Sequence, residues 1–424
     1  MMVANQRNWA GNFRYSAART HQPETVDQVR EIVSRADKVK ALGTRHSFNV
    51  IADCAEDLIS LSHLDRVIEI DRDRRTATVE GGARYGQVGE YLHARGYALR
   101  NMASLPHISA AGACATATHG SGDGNGNLAT AVVAMEMVTA EGELVEISRE
   151  KNGERFDGMV VALGGLGIVV KLTLEIVPSF LVRQDVYENL PWDQLEEHFD
   201  AITASAYSVS MFTNWQSGCV NQVWLKQCVT DAAALEPAPT FFGATRAHVD
   251  RHPISDVSAE HCTSQRGVAG PWHERLPHFR MDYTPSNGEE LQSEYFVPRR
   301  NAIAAFAAIA RLRERISPLL LISELRTIAA DRLWMSPCYG QASAAIHFTW
   351  KADWPGVRSV LPMIEAELAP LGARPHWGKL FTLDPTRLQS LYERLPDFRQ
   401  LLVKFDPRGK FRNAFLDRYI FGRR

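Results

Sequence analysis

The sequence predicts an α+β protein of two domains, and three observations lead there. The chain has 424 residues, 45% of them hydrophobic, whereas a single core rarely grows past about 250–300 residues. Short strand-like and helical runs are mixed along it, yet no G-x-G-x-x-G turn follows a strand and opens a helix, so a Rossmann nicotinamide site is not supported. The pattern also changes after Pro178, which is the first expected boundary.

In chain order, Thr25-Val26-Asp27-Gln28 reads as a capping box. Val26, Val29, Ile32, Val33 and Ala36 follow at helical spacing. A strand over Val39–Leu42 runs into the turn Gly43–Ser47. Further strands are expected at Leu58–Leu61, Val67–Ile70 and Thr76–Val79, then a helix from Tyr85 with Gly96 as its C-cap. Ser104–Asn127 is dense in Gly, Ala, Ser and Thr. Strands resume at Ala131–Val138, Leu144–Ile147 and Ile168–Val177. Beyond Pro178, strand-like runs (Gln222–Leu225, Ala344–Trp350) alternate with helical ones (Ala302–Ile316, Val357–Leu368). Pro237–Ser293 reads as loops or a lid, and the tail from Arg387 starts helical.

Several function classes drop out. A net charge of −2 with 23% charged residues gives no case for nucleic acid or a membrane surface. Neither a signal peptide nor a membrane-length apolar run is visible. Cys54, Cys114, Cys219, Cys228, Cys262 and Cys338 form no C-x-x-C pair, so reduced thiols in a cytoplasmic enzyme are expected and no zinc site is. His273–His278 has one residue too many for a zincin motif, and Pro277 breaks the helix it needs. The run from Asp123 fails as a calcium loop, with Leu128 and Ala134 where Gly and Glu belong. The polar, unpatterned surface suggests a monomer.

The informative turn is Leu42-Gly43-Thr44-Arg45-His46-Ser47. Successive backbone N–H groups in such a turn make a nest for an anion such as a pyrophosphate. Taken alone it also fits a surface turn with an exposed histidine. The stretch Ser104 to Gly122 adds a second signal. Its small residues let backbone approach a flat ligand, and its amides and hydroxyls supply donors.

Gly43–Ser47, Gly112–Gly122 and Leu163–Ile168 together resemble the flavin-binding domain of the vanillyl-alcohol-oxidase family. Asn101–Ser109, Gly270–Arg280, Ser323–Thr327 and Arg374–Lys379 resemble its alditol oxidase branch, and the likeness covers essentially the whole chain. The resemblance implies FAD, bonded through a ring nitrogen of His46 as a single tether. It implies further cofactor contacts from Leu42, Gly43, Thr44, Arg45, Ser47, Ser104, Ser109, Gly112, Thr116, Thr118, His119, Gly120, Ile168 and His376. It implies an FAD-binding domain over residues 1–178, a substrate domain over 179–386, with a sheet covered by helices, and a tail over 387–424 returning to the first. One departure is Arg45, which stands where the family often has a second glycine. If that position needs positive φ, Arg45 is strained. If not, its guanidinium faces solvent or the pyrophosphate.

Glu324 and Arg326 are two apart on a strand-like run, as are His347 and Thr349, so each pair shares a face. By spacing alone that face could be an outward polar one. The resemblance instead makes these residues, with Ser104 and Lys379, the lining of a polyol pocket. It implies oxidation of a terminal CH2OH of xylitol or sorbitol to the aldose, with hydride passing to flavin N5 and O2 giving hydrogen peroxide. Arg326 and Lys379 would favour the developing alkoxide, and His347 would accept its proton. Glu324 would orient Arg326 and bind a hydroxyl. Ser104 and Thr349 would bind others. An aldonolactone oxidase or dehydrogenase of the same family is the alternative. A flavin- or sugar-binding protein without turnover fits less well with Glu324, Arg326 and Lys379 all intact.

Overall fold

The computed structural model describes residues 7–229, 237–283 and 290–423. Part of the expected lid therefore lies outside the described residues. The N-terminal half holds two sheets. A three-stranded parallel sheet joins Arg19–His21, Asp57–Ser60 and Val39–Leu42. A five-stranded antiparallel sheet runs in the order Val67–Asp71, Thr76–Glu80, Ile168–Glu175, Val132–Val138, Leu144–Ser148.

The helix Val26–Arg35 starts where the capping signal places it, with the Thr25 side chain accepting from Gln28 N. The reciprocal bond is displaced by one residue: Gln28 Oε1 takes Glu24 N at 2.7 Å. Val29 and Val33 are fully buried and pack with Ile59, Val138, Ile168 and Phe411. The helix from Tyr85 ends earlier than expected, at His93, because Ala94 caps it and Gly96 serves the next turn at φ +81°. The expected helix Ala302–Ile316 is divided at Leu312 into Ala302–Arg311 and Arg313–Ile316.

The second half is organised on a ten-stranded sheet. At its centre Ser208–Thr213, Leu320–Ile328, Ser343–Lys351 and Glu290–Pro298 lie side by side, all antiparallel. Alternation decides what each face meets. Leu325, Ile346, Phe348, Trp350, Tyr295 and Val297 pack against the helices Trp192–Thr203, Ala302–Arg311 and Trp354–Leu368. Two serines on that apolar face satisfy buried indoles: Ser323 takes Trp215 Nε1 at 2.8 Å and Ser293 takes Trp350 Nε1 at 2.9 Å. The opposite face carries Glu294, Glu324, Arg326, His347 and Thr349 beside a small apolar patch of Phe296, Ile328 and Ala345.

The C-terminal stretch runs back to the first sheets. Val39 N donates to Lys410 O at 3.0 Å, and Asp406 accepts the N–H groups of Lys410 and Phe411 at 2.7 Å each. Phe411 is fully buried, which contributes about 2–3 kcal/mol. Leu395, Phe398, Leu402, Phe415 and Leu416 join the same core cluster as Val161, Leu163 and Leu166.

Candidate active site

A cavity of about 780 Å³ lies between the first sheets and the polar face of the large sheet. One end is built by the Leu42–Ser47 turn and the residues around the short helix Ala110–Ala115. The two stretches touch. A Cβ on Gly43 would fall 2.7 Å from Ser109 Oγ, and one on Gly112 would fall 2.9 Å from it, so a larger residue at either position would displace the Ser109 hydroxyl. Thr44 Oγ1 accepts from Ser109 N at 3.3 Å and ties the turn to this wall. Thr116 Oγ1 donates to Gly112 O at 3.3 Å and stands 3.3 Å from Thr118 Oγ1.

His46 sits in this wall. Its Nδ1 is 3.0 Å from Thr44 Oγ1, and its Nε2 is buried with no hydrogen-bond partner. The ring stacks on Trp9 at 5.2 Å. Burial, with His107 nearby, pushes its pKa down to about 3, so the imidazole is neutral. Arg45 has φ +65°, so the strained alternative for this turn is the one realised. Its side chain is exposed and directed at Arg7 O, 3.4 Å away, while its carbonyl takes Trp9 N at 2.8 Å. The glycine-lined wall, the unpartnered His46 nitrogen and the size of the cavity fit a flavin dinucleotide.

A second wall is the polar sheet face. Register puts Glu324, His347 and Glu294 in one row across three strands. Glu294 is 1% exposed. It accepts from Arg326 Nη2 at 2.6 Å and from Lys379 Nζ at 2.7 Å, and His119 Nε2 lies 3.2 Å away. Arg326 Nη1 also reaches Ser104 Oγ at 3.3 Å. Lys379 Nζ donates to His347 Nδ1 at 2.7 Å, and His347 Nε2 is 3.0 Å from Thr349 Oγ1. Burial alone would raise the Glu294 carboxyl, but Lys379, His119 and Arg326 outweigh it and hold it well below the usual range. Glu324 is held down in the same way by Arg326 and His278. Burial, then Lys379, pushes His347 down to about 4. Burial also lowers Lys379, with Glu294 opposing.

The sequence-derived residues converge on this cavity with two exceptions. Leu42, Gly43, Thr44, Arg45, His46, Ser47, Ser104, Ser109, Gly112, Thr116, Thr118, His119, Glu324, Arg326, His347, Thr349, His376 and Lys379 all line it. Gly120 does not: it is glycine because a Cβ there would lie 2.2 Å from Met102 O. Ile168 does not either. Its side chain is in the core, while its neighbours Gly167 and Val169 face the cavity. His347 is not an open imidazole: Lys379 donates to its Nδ1, so a proton reaches that nitrogen through Lys379.

Sequence reasoning missed Glu294. Its signal was the alternation Gln292, Glu294 against Leu291, Ser293, Tyr295 in a strand-like run. It also missed Lys226 and Trp9. The rejected metal motifs have other uses here. Asp123 accepts from Arg299 and Thr327 at 2.6 Å each, and His278 faces Glu324 at 2.8 Å. Among the described residues no cluster is arranged to hold a metal, and no helix is long and apolar enough to cross a membrane.

Residues 17–148 match the family described as FAD binding domain, and residues 284–419 match the D-arabinono-1,4-lactone oxidase family. An alditol oxidase from Streptomyces sp. (strain IKD472 / FERM P-14339) is 46% identical, over 96% of this chain and 97% of its own. The chain belongs to the alditol oxidase family. It is thereby an FAD-dependent oxidoreductase of the vanillyl-alcohol-oxidase flavoproteins. An L-gulonolactone oxidase from Bos taurus is 25% identical over 98% of each chain. Cholesterol oxidase from B. sterolicum has a TM-score of 0.80 at 14% identity, covering 98% of this chain and 96% of its own, which is a likeness of fold. The α+β expectation stands.

Proposed function

We propose that this enzyme oxidises the terminal primary alcohol of an alditol such as xylitol or sorbitol to the aldose, using FAD tethered through His46. The observation that carries the reading is the row Glu324–His347–Glu294 with Arg326, Lys379, Thr349 and Ser104 around it, lining the same cavity as His46. FAD in that cavity supplies the hydride acceptor and, through O2, the route by which electrons leave as hydrogen peroxide. Residues 1–178 would form the cofactor domain, with 387–424 packed back on it, and 179–386 would form the substrate domain.

Arg326 and Lys379 place positive charge where the substrate oxygen becomes an alkoxide. Glu294 keeps both cations aimed there. The hydroxyl proton goes to Lys379 as Lys379 passes one of its own across the 2.7 Å contact to His347 Nδ1, so the pair gains one proton in all. Glu324, Thr349 and Ser104 bind further hydroxyls. A simple alkanol leaves such groups unpaired, which costs a factor of about 10⁴ in kcat/KM.

The match of residues 284–419 to the D-arabinono-1,4-lactone oxidase family favours a second reading, in which the substrate is an aldonolactone. Anaerobic bleaching of the flavin separates the two. Xylitol or sorbitol should bleach it far faster than gulonolactone or 1-pentanol. Faster bleaching by gulonolactone overturns the alditol reading, and equal bleaching by 1-pentanol overturns the polyol pocket.

A further inference from the structure

Lys226 lies on the strand Cys219–Val229, is 1% exposed, and takes no part in the chemistry above. Its Nζ donates to Leu276 O at 2.5 Å and Pro277 O at 2.9 Å, and stands 3.1 Å from His278 Nδ1. Three acceptors match the three N–H bonds of an ammonium. On the far side of the ring, His278 Nε2 is 2.8 Å from Glu324 Oε1. A carboxylate only accepts, so Nε2 must carry the proton. An ammonium only donates, so Nδ1 must offer its lone pair. The two neighbours demand the same tautomer.

The ring is held in place by edge contacts with Phe212 at 5.5 Å and Trp224 at 5.2 Å. Burial and Lys226 push its pKa down to about 4, which keeps it neutral. Arg326 Nε, at 3.5 Å, also approaches Oε1 of Glu324. Both neighbours thus stand on one carboxylate oxygen of a residue that lines the cavity.

We propose that Lys226 is a positioning residue for substrate binding: it fixes His278 as the Nε2–H tautomer, which anchors Glu324 Oε1 and leaves Oε2 for a polyol hydroxyl. This rests on the reading of Glu324 as a hydroxyl ligand. A core lysine with no such role would affect stability and flavin content without singling out the polyol.

The test measures KM and kcat for xylitol in Lys226→Met, His278→Gln, His278→Phe and Glu324→Gln, and in Lys226→Met combined with Glu324→Gln, beside melting point and bound flavin. Lys226→Met and His278→Phe should raise KM about tenfold while kcat changes less than threefold. His278→Gln, whose amide still donates to Glu324, should stay within threefold of the parent KM. Lys226→Met should add less than twofold once Glu324 is Gln, because coupled residues are not additive. The inference is overturned if Lys226→Met costs the same in both backgrounds, or if His278→Gln is as poor as His278→Phe. The glutamine–phenylalanine comparison carries the test should Lys226→Met not fold. If Glu324→Gln leaves the xylitol KM unchanged, the assignment of Glu324 as a substrate ligand is what fails.

Discussion

Glu294 and Lys379 meet at 2.7 Å although they are 85 positions apart in the chain. The other oxygen of the same carboxylate takes Arg326 at 2.6 Å. One buried anion thus holds two cations on the polar sheet face of the cavity.

Glu294→Gln should leave Lys379 without its carboxylate partner and Arg326 with Glu324 alone. Breaking a buried ion pair from one side costs about 3–5 kcal/mol, and the denaturant midpoint should fall accordingly. Anaerobic flavin reduction by xylitol should slow more than tenfold. An unchanged midpoint would show that the pairing contributes nothing.

Arg326→Ala and Lys379→Ala should each slow flavin reduction by at least tenfold, since both side chains stabilise charge that develops during reaction. Stopped-flow absorbance without oxygen gives the rate directly. A variant that reduces its flavin at the parent rate removes that residue from the chemistry.

His46→Ala should release flavin into the supernatant after acid precipitation, whereas the parent protein should keep it in the pellet. Free flavin from the parent would refute the tether and leave the fold unaffected.

Arg45→Gly tests the turn. A left-handed non-glycine residue costs about 1–2 kcal/mol, and the freer unfolded glycine chain cancels part of that gain. A net stabilisation of about 0.5–1 kcal/mol is expected in thermal or denaturant unfolding, with covalent flavin retained. A loss of stability would mean that the Arg45 side chain, not its φ of +65°, decides the effect.

Acid should weaken the fold in two stages. His278 and His347 are both pushed down to about 4, below an unfolded value of about 6.5. Between those limits the unfolded chain binds protons that the folded one refuses, so stability falls as pH drops through that window. Glu294 and Glu324 are held below their ordinary value, so their contribution is lost only below about 4.5. Melting points from pH 4.5 to 7.5 should fall toward acid, and less steeply in His278→Gln. A flat profile would contradict the buried neutral histidines.

By itself the sequence determined what depends on neighbours in the chain. Period-two spacing put Glu324 with Arg326 and His347 with Thr349 on shared faces, and Thr25 marked the start of its helix. The glycine turn at His46 and its partner stretch were legible as motifs, because close backbone approach demands small residues. Tertiary structure decided the rest. Only strand register sets Glu294 beside His347, and only the packing of Leu276–His278 over the large sheet brings Lys226 within 3.1 Å of His278. It also turned Ile168 into the core, sent Gly120 to a backbone contact, and gave His347 a lysine neighbour at 2.7 Å. The physical reason is the same in each case. Local spacing fixes which side of a strand a residue occupies, whereas the partner of a buried charge is fixed by segments brought together from distant parts of the chain.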